Sequence, residues 1–194
     1  MYHDLPFTAT FWWFLFTIDQ DLANAIRENR CSCGGRLHSA DYARKPRGTS
    51  ASLPELLRIR LSFCCDRDGC RKRTTPPSVR FLGRKVYLGA IVILISAMRQ
   101  GPSPRRVREL SARFGVDQRT IARWQVFWRE HFPQSTFWKT ARARLAPTVP
   151  ITSLPYALVD AFLSRHPRCR GWTLLLRFLS PFTITGTLRI KVSC

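Results

Sequence analysis

The 194-residue sequence predicts a mainly α-helical protein with one small metal-pinned β-sheet and, after it, a block of three helices. Three observations carry that expectation. Five of the seven cysteines fall in two glycine-bearing clusters, "RCSCGGRLH" at 30–38 and "LSFCCDRDGC" at 61–70. Apolar residues recur at helical spacing between 83 and 133. The 32 Lys and Arg stand against 12 Asp and Glu, a formal charge of +20. With 45% hydrophobic residues the chain still has the material for a core, so the charge belongs to a surface.

Four parts follow one another. Residues 1–29 form an aromatic lead-in with a helix around "IDQDLANAIREN", where Leu22 and Ile26 fall one turn apart. Residues 30–82 hold the cysteine clusters, separated by the Pro/Gly/Ser-rich loop "ARKPRGTSASLP". Residues 83–133 are helical, opening after Gly83 and closed by Pro133. In the extension 134–194, "VPITSLPYALVDAFLSRHP" predicts one helix behind Pro155, and "FTITGTLRIKV" alternates apolar and polar residues like a strand. No role is assigned to this extension.

The cysteines predict a structural metal site. Each cluster puts thiols beside glycine, which lets the backbone turn back until its amides face the sulfurs; two such knuckles supply the four ligands of a tetrahedral zinc ion. Strands between the knuckles make the module a zinc ribbon of residues 30–82, too poor in large apolar groups to fold comfortably without the energy of metal binding. The predicted ligands are Cys31, Cys33, Cys65 and Cys70. Cys64 and His38 remain alternatives. In an extended strand consecutive side chains face opposite sides, so only one of Cys64 and Cys65 can reach the ion, and Cys65 lies nearer the turn. Asp66 and Asp68, flanked by Arg67, Arg71, Lys72 and Arg73, are read as turn residues. Cys169 and Cys194 stand alone.

Downstream, "ELSARFGVDQRTIARW" at 109–124 shows a helix interrupted and at once restarted. Val107, Leu110 and Phe114 form an apolar stripe, Gly115 stops it as a left-handed cap would, and Val116 turns inward. Asp117 is a suitable N-cap for a second helix whose Ile121, Trp124 and Trp128 continue an apolar face toward Phe132. Two short helices at a steep angle let the second offer its polar N-terminal face to a DNA major groove. The pattern resembles the helix-turn-helix family: Ser111, Phe114, Gly115, Val116, Ile121 and Trp124 occupy its small, apolar, glycine and core places, with Ser111 where alanine is commoner. That resemblance implies groove-facing roles for Gln118, Arg119 and Arg123, with Thr120 nearer the backbone, where Arg can pair with guanine and Gln with adenine. Arg105, Arg106, Arg108 and Arg113 would then sit near phosphates. "YLGAIVILISAM" at 87–98 supplies the buried first helix of a three-helix domain.

Ribbon and helix-turn-helix in this order, over about residues 30–132, resemble the N-terminal DNA-binding regions of bacterial insertion-element transposases and their small accessory proteins. The resemblance implies double-stranded DNA as partner, together with a transposase or a second copy of the chain.

Charge distribution agrees with a polyanionic partner. Residues 30–150 carry twenty-five basic and seven acidic side chains, residues 1–29 only one and four. Catalysis is not expected: strand transfer needs three carboxylates around two metal ions, and beyond residue 132 there is one acid, Asp160. Tyr2, Tyr42, Tyr87 and Tyr156 sit in no recognisable Arg/His constellation. The N-terminus lacks a basic stretch before its apolar run, and neither that run nor 87–98 reaches the roughly 20 apolar residues of a membrane span. A cytoplasmic protein with reduced thiols is expected. The alternative is an adaptor that binds nucleic acid nonspecifically and docks a protein through Phe11, Trp12, Trp13, Phe14 and Phe16.

Overall fold

Burial at three- and four-residue spacing decides the first element. Phe11 and Trp12, Leu15 and Phe16, Ile18 and Asp19, then Ala23 recur on one side and are all buried, which makes a single helix α1 of Ala9–Glu28. The helix therefore reaches back through the aromatic run, further than its "IDQDLANAIREN" portion alone predicts; burying so much apolar surface overrides the modest helix propensity of Phe and Trp. Trp13 is the large side chain left open, at 41% exposure. The computed structural model describes residues 9–44, 53–81, 103–114, 117–145 and 149–183. The chain divides into two units, Met1–Gly89 with Leu179–Cys194, and Ala90–Phe178. It is mostly helical, with small antiparallel sheets.

In the first unit, Arg30 adopts φ 58, a left-handed turn more often given to glycine, and swings the chain from α1 into the first cysteine cluster. The strands are β1 (Leu37–Ser39), β2 (Tyr42–Ala43), β3 (Ile59–Arg60), β4 (Phe63–Cys65) and β5 (Arg73–Thr74). They pair in the orders β1-β4-β5 and β2-β3. A short 3-10 turn, Glu55–Arg58, precedes β3 and packs on α1. Most of the predicted loop, residues 45–52, lies outside the described residues.

What joins α1 to the later segments is a buried ion pair. Asp19 accepts from Arg80 Nε at 2.7 Å, from Ser78 Oγ at 2.6 Å and from the Val79 amide at 2.7 Å. Arg80 spends its other nitrogens on the Leu57 and Ile59 carbonyls, at 2.9 and 3.0 Å, and lies over the Phe16 ring at 4.5 Å. Burial pulls the Arg80 guanidinium below its ordinary pKa, and the Asp19 carboxylate opposes that pull. Each nitrogen of the guanidinium and each oxygen of the carboxylate has a partner, the condition on which so deep a charge pair is tolerated.

The second unit holds α2 (Pro104–Phe114), α3 (Gln118–Val126), α4 (Thr136–Ala141), α5 (Tyr156–Leu163) and α6, Arg168–Leu179. Pro104 stands at the first helical position of α2, where its missing N–H costs nothing. Pro133 does not close the helical run. The coil widens to π geometry over Phe127–His131, so the Phe132 amide reaches back to the Phe127 carbonyl, and the helix runs on to Gln134. The wider turn relieves the clash a proline ring makes with the carbonyl four residues earlier. Ser135 then caps α4, accepting from the Trp138 amide at 3.1 Å. Ile121, Phe127, Trp128, Phe132 and Trp138 form the buried centre here, with the Phe132 ring tilted against Trp128 at 4.4 Å and against Trp138 at 5.1 Å between centroids.

The helix expected behind Pro155 is α5. α6 follows it and crosses closely: a Cβ on Gly171 would stand 2.8 Å from Leu163 Cδ2 and 2.9 Å from the Phe162 carbonyl oxygen. Phe178 touches both Phe162 and Phe137, tying α6 to α5 and α4. Residues 184–192 of the strand-like stretch and all of 87–98 lie outside the described residues. Among the described residues no helix is long and apolar enough to cross a membrane.

Candidate metal centre and nucleic-acid interface

Two turns and one strand bring four sulfurs together. Between Cys31 and Gly35 the backbone closes on itself, the Gly34 amide donating to the Cys31 carbonyl at 2.8 Å and the Cys31 amide to the Gly35 carbonyl at 3.0 Å. Gly34 takes φ 85. Gly35 admits no side chain, because a Cβ there would lie 2.5 Å from Cys65 Sγ. The second turn repeats the device after β4, with Gly69 at φ 81 and the Cys70 amide donating to the Arg67 carbonyl at 3.1 Å. Asp66 locks the turns together: its amide donates to the Arg36 carbonyl at 3.0 Å, and its carboxylate accepts from the Arg36 amide at 2.8 Å.

The sulfurs of Cys31, Cys33, Cys65 and Cys70 lie within 4.8 Å of one another. Cys31 and Cys70 are 3.8 Å apart, Cys33 and Cys65 3.5 Å. A disulfide holds its sulfurs near ~2 Å, so these are four separate thiols. Tetrahedral coordination at a Zn–S distance near 2.3 Å separates the sulfurs by about 3.8 Å. The arrangement fits a single tetrahedral ion.

Strand alternation decides which side chains reach the sulfur cluster. Leu37 pairs with Cys65 and His38 with Cys64 across β1 and β4. Leu37 and Cys65 face inward, where Ala23, Cys31 and Phe63 join them and Ile26 of α1 packs alongside. His38 and Cys64 face away together. His38 stands 3.5 Å from Asp66, and Cys64 Sγ donates to the Arg71 carbonyl at 3.4 Å, so neither alternative joins the cluster. Asp66 and Asp68 act as turn residues, Asp68 accepting from Arg71 at 2.7 Å.

The electrostatics favour a cation among the sulfurs. The Gly35 amide, then the Cys70 and Cys65 thiols, lower the Cys33 pKa to about 6, giving a thiolate at neutral pH. The Arg67 amide lowers the Cys65 pKa, but burial and the thiols of Cys33, Cys31 and Cys70 outweigh it and push Cys65 up to about 12. Cys70 is likewise raised: its Lys72 amide lowers it, yet Cys33, burial and Cys31 prevail. One ionised sulfur thus suppresses ionisation of others beside it, a conflict that a bound divalent cation removes.

The second predicted site lies on α2 and α3. Asp117 caps α3, its carboxylate accepting from the Arg119 amide at 2.8 Å. Gln118, Arg119 and Arg123 are exposed and Thr120 half-buried, while Ile121 is wholly buried on the other side. On α2 Arg105 and Arg108 are exposed, Arg105 pairing with Glu109 at 3.2 Å. Such an open pair is weak, so a phosphate can compete for this arginine. Arg106 and Arg113 also lie on α2; their side chains are outside the described residues, as are Gly115, Val116 and the Trp124 side chain.

Sequence reasoning missed two groups: the Asp19–Arg80 pair, and the two arginines at the first cysteine turn, Arg30 and Arg36. Arg30 and Arg36 do bracket "CSCGG", a signal that was there to be read. No protein-family model, curated protein or solved structure matches the chain.

Proposed function

We propose that the chain is a sequence-specific DNA-binding protein with a structural zinc centre and no catalysis of its own. The observation that carries this reading is the two-sided character of α3. Its N-terminal face offers Gln118, Arg119 and Arg123 to solvent behind the Asp117 cap, while Ile121 anchors its other side. In the helix-turn-helix reading this face enters the major groove, Arg119 and Arg123 reading guanine edges bidentately and Gln118 adenine. Arg105, Arg106, Arg108 and Arg113 hold the phosphates and fix register, and the charge of +20 draws the protein to the duplex.

Zinc is the ion this donor set selects: four soft thiolates at tetrahedral spacing, with no open ligand position for a reactive water. Its contribution is folding energy, with Cys31, Cys33, Cys65 and Cys70 as ligands. A cytoplasmic setting keeps those thiols reduced, and association with a mobile element, through a transposase or a second copy of the chain, follows from the sequence resemblance alone. Most of the aromatic run is accounted for by burial in its own unit, which leaves the adaptor alternative chiefly Trp13 to dock with.

The test is selection of bound duplexes from random sequence, with wild type and Arg119→Ala. The reading expects a defined site for wild type and, for the variant, relaxed preference at one position worth about 1–3 kcal/mol. Equal affinity of wild type for all sequences would overturn it.

A further inference from the structure

The two cysteine turns build more than a metal site. On their outer side runs an open cleft of about 490 Å³, lined by Arg30, Gly35, Arg36, Asp66, Arg67 and Asp68 among others. Its acids are already engaged: Asp66 accepts from the Arg36 amide, and Asp68 from the Arg71 guanidinium. Arg67 is held with one nitrogen on the Cys33 carbonyl at 2.6 Å, which fixes the rim of the cleft. Among the described residues the guanidiniums of Arg30 and Arg36 have no partner.

Neutralising the metal centre does not account for these cations. Four thiolates around a divalent ion leave two negative charges, and Asp66 and Asp68 add two more. Arg30, Arg36, Arg67, Arg71, Lys72 and Arg73 outnumber them, and all but Arg73 and Lys72 belong to the two turns or their immediate flanks. A planar guanidinium fork matches the oxygens of a phosphate, and two arginines lining one open cleft suit a phosphate that enters from solvent.

We infer that this cleft is a second anion site of the protein, in which Arg30 and Arg36 bind a backbone phosphodiester of nucleic acid, separate from the face of α3. The inference takes the phosphodiester from the function proposed above; the arginines lining the cleft by themselves call for an anion. Its openness favours a strand passing across over a small ligand enclosed on all sides. The contact carries no base information, so it adds affinity and salt dependence without altering the preferred sequence.

The experiment uses the full zinc-loaded chain, with Arg30→Gln/Arg36→Gln and Arg30→Lys/Arg36→Lys, each checked for one ion per chain to show that the turns are intact. Two probes are titrated, a random-sequence duplex over a range of salt and inorganic phosphate. The expected result is that the glutamine variant binds the duplex more weakly, with a log–log salt slope shallower by about 1. The lysine variant keeps most of the slope, and the base preference that depends on Arg119 is untouched. Saturable binding of inorganic phosphate that needs Arg30 and Arg36, with an unchanged duplex slope, would overturn the backbone assignment in favour of a free phosphate. Unchanged behaviour of the glutamine variant toward both probes would overturn the site. Loss of sequence preference in wild type, with an Arg30- and Arg36-dependent slope, would instead remove the proposed function and leave this site standing.

Discussion

Replacing Asp19 by alanine should cost the first unit more than any single change at its surface. Both side chains of the Asp19–Arg80 pair are 0% exposed. The substitution removes the carboxylate acceptor of Arg80 Nε, of the Ser78 hydroxyl and of the Val79 amide, which lie 2.6 to 2.7 Å from it. Breaking one partner of a buried pair costs about 3–5 kcal/mol, and each neutral orphaned donor adds toward the top of that range. About 4 kcal/mol is expected, and with a urea dependence near 2 kcal/mol per molar the midpoint falls by roughly 2 M. The readout should belong to this unit alone: pulsed alkylation of Cys31 and Cys65, 6% and 1% exposed, followed by mass spectrometry along a urea series. The double variant Asp19→Leu/Arg80→Met removes both charges and should recover most of the loss, giving a coupling of several kcal/mol. A midpoint shift below about 0.5 M for Asp19→Ala, or additive effects in the double variant, would refute the claim that this pair joins α1 to the later segments.

Other expectations are more direct. Cys33→Ser should abolish stoichiometric zinc binding whereas Cys64→Ser should retain it, as read by metal analysis after gel filtration; equal losses would return Cys64 to the ligand set. Zinc uptake at pH 7.5 should release fewer than four protons per ion, since Cys33, lowered to about 6, is already ionised; indicator titration measures the count. In the metal-free chain that lowered pKa stabilises the fold above the ordinary thiol value, and the contribution is lost as pH falls through about 6, so Cys33→Ser should flatten this part of the stability profile. Gly171→Ala should destabilise by about 1–3 kcal/mol, because the new methyl meets the Phe162 carbonyl as well as a movable leucine. Asp117→Ala should cost about 1 kcal/mol in thermal unfolding of the second unit, through loss of its bond to the Arg119 amide.

The features legible in the sequence are those written locally. Glycines beside cysteines announced both turns, the period of two in a strand admitted only one of Cys64 and Cys65 while nearness to the turn picked Cys65, and Asp117 marked the start of α3 within one residue. Pro155 announced α5 for the same reason. What escaped depends on partners far along the chain: nothing near Asp19 signals that Arg80, some sixty residues on, will meet it, and an acid inside "FWWFLFTIDQD" looks like a helix surface until Ser78 and Val79 arrive. Pro133 was read by its usual effect, whereas the π turn that accommodates it depends on the packing of Phe127, Trp128 and Phe132. α6 was missed because "RCRGWTLLLRFL" mixes glycine, cations and a leucine run, and its helical face becomes plain only against α5.

One wall of the sulfur cluster is not made by the cysteine turns at all. Ala23 and Ile26 of α1 close it from the side, and Arg30 ties the helix to Cys31 without a linker. A peptide excised from residue 30 onward would keep all four sulfurs and yet present them to water on that flank. Its grip on zinc should be weaker and its sulfurs more readily oxidised than in the intact chain, so this helix is to be counted as part of the metal's housing.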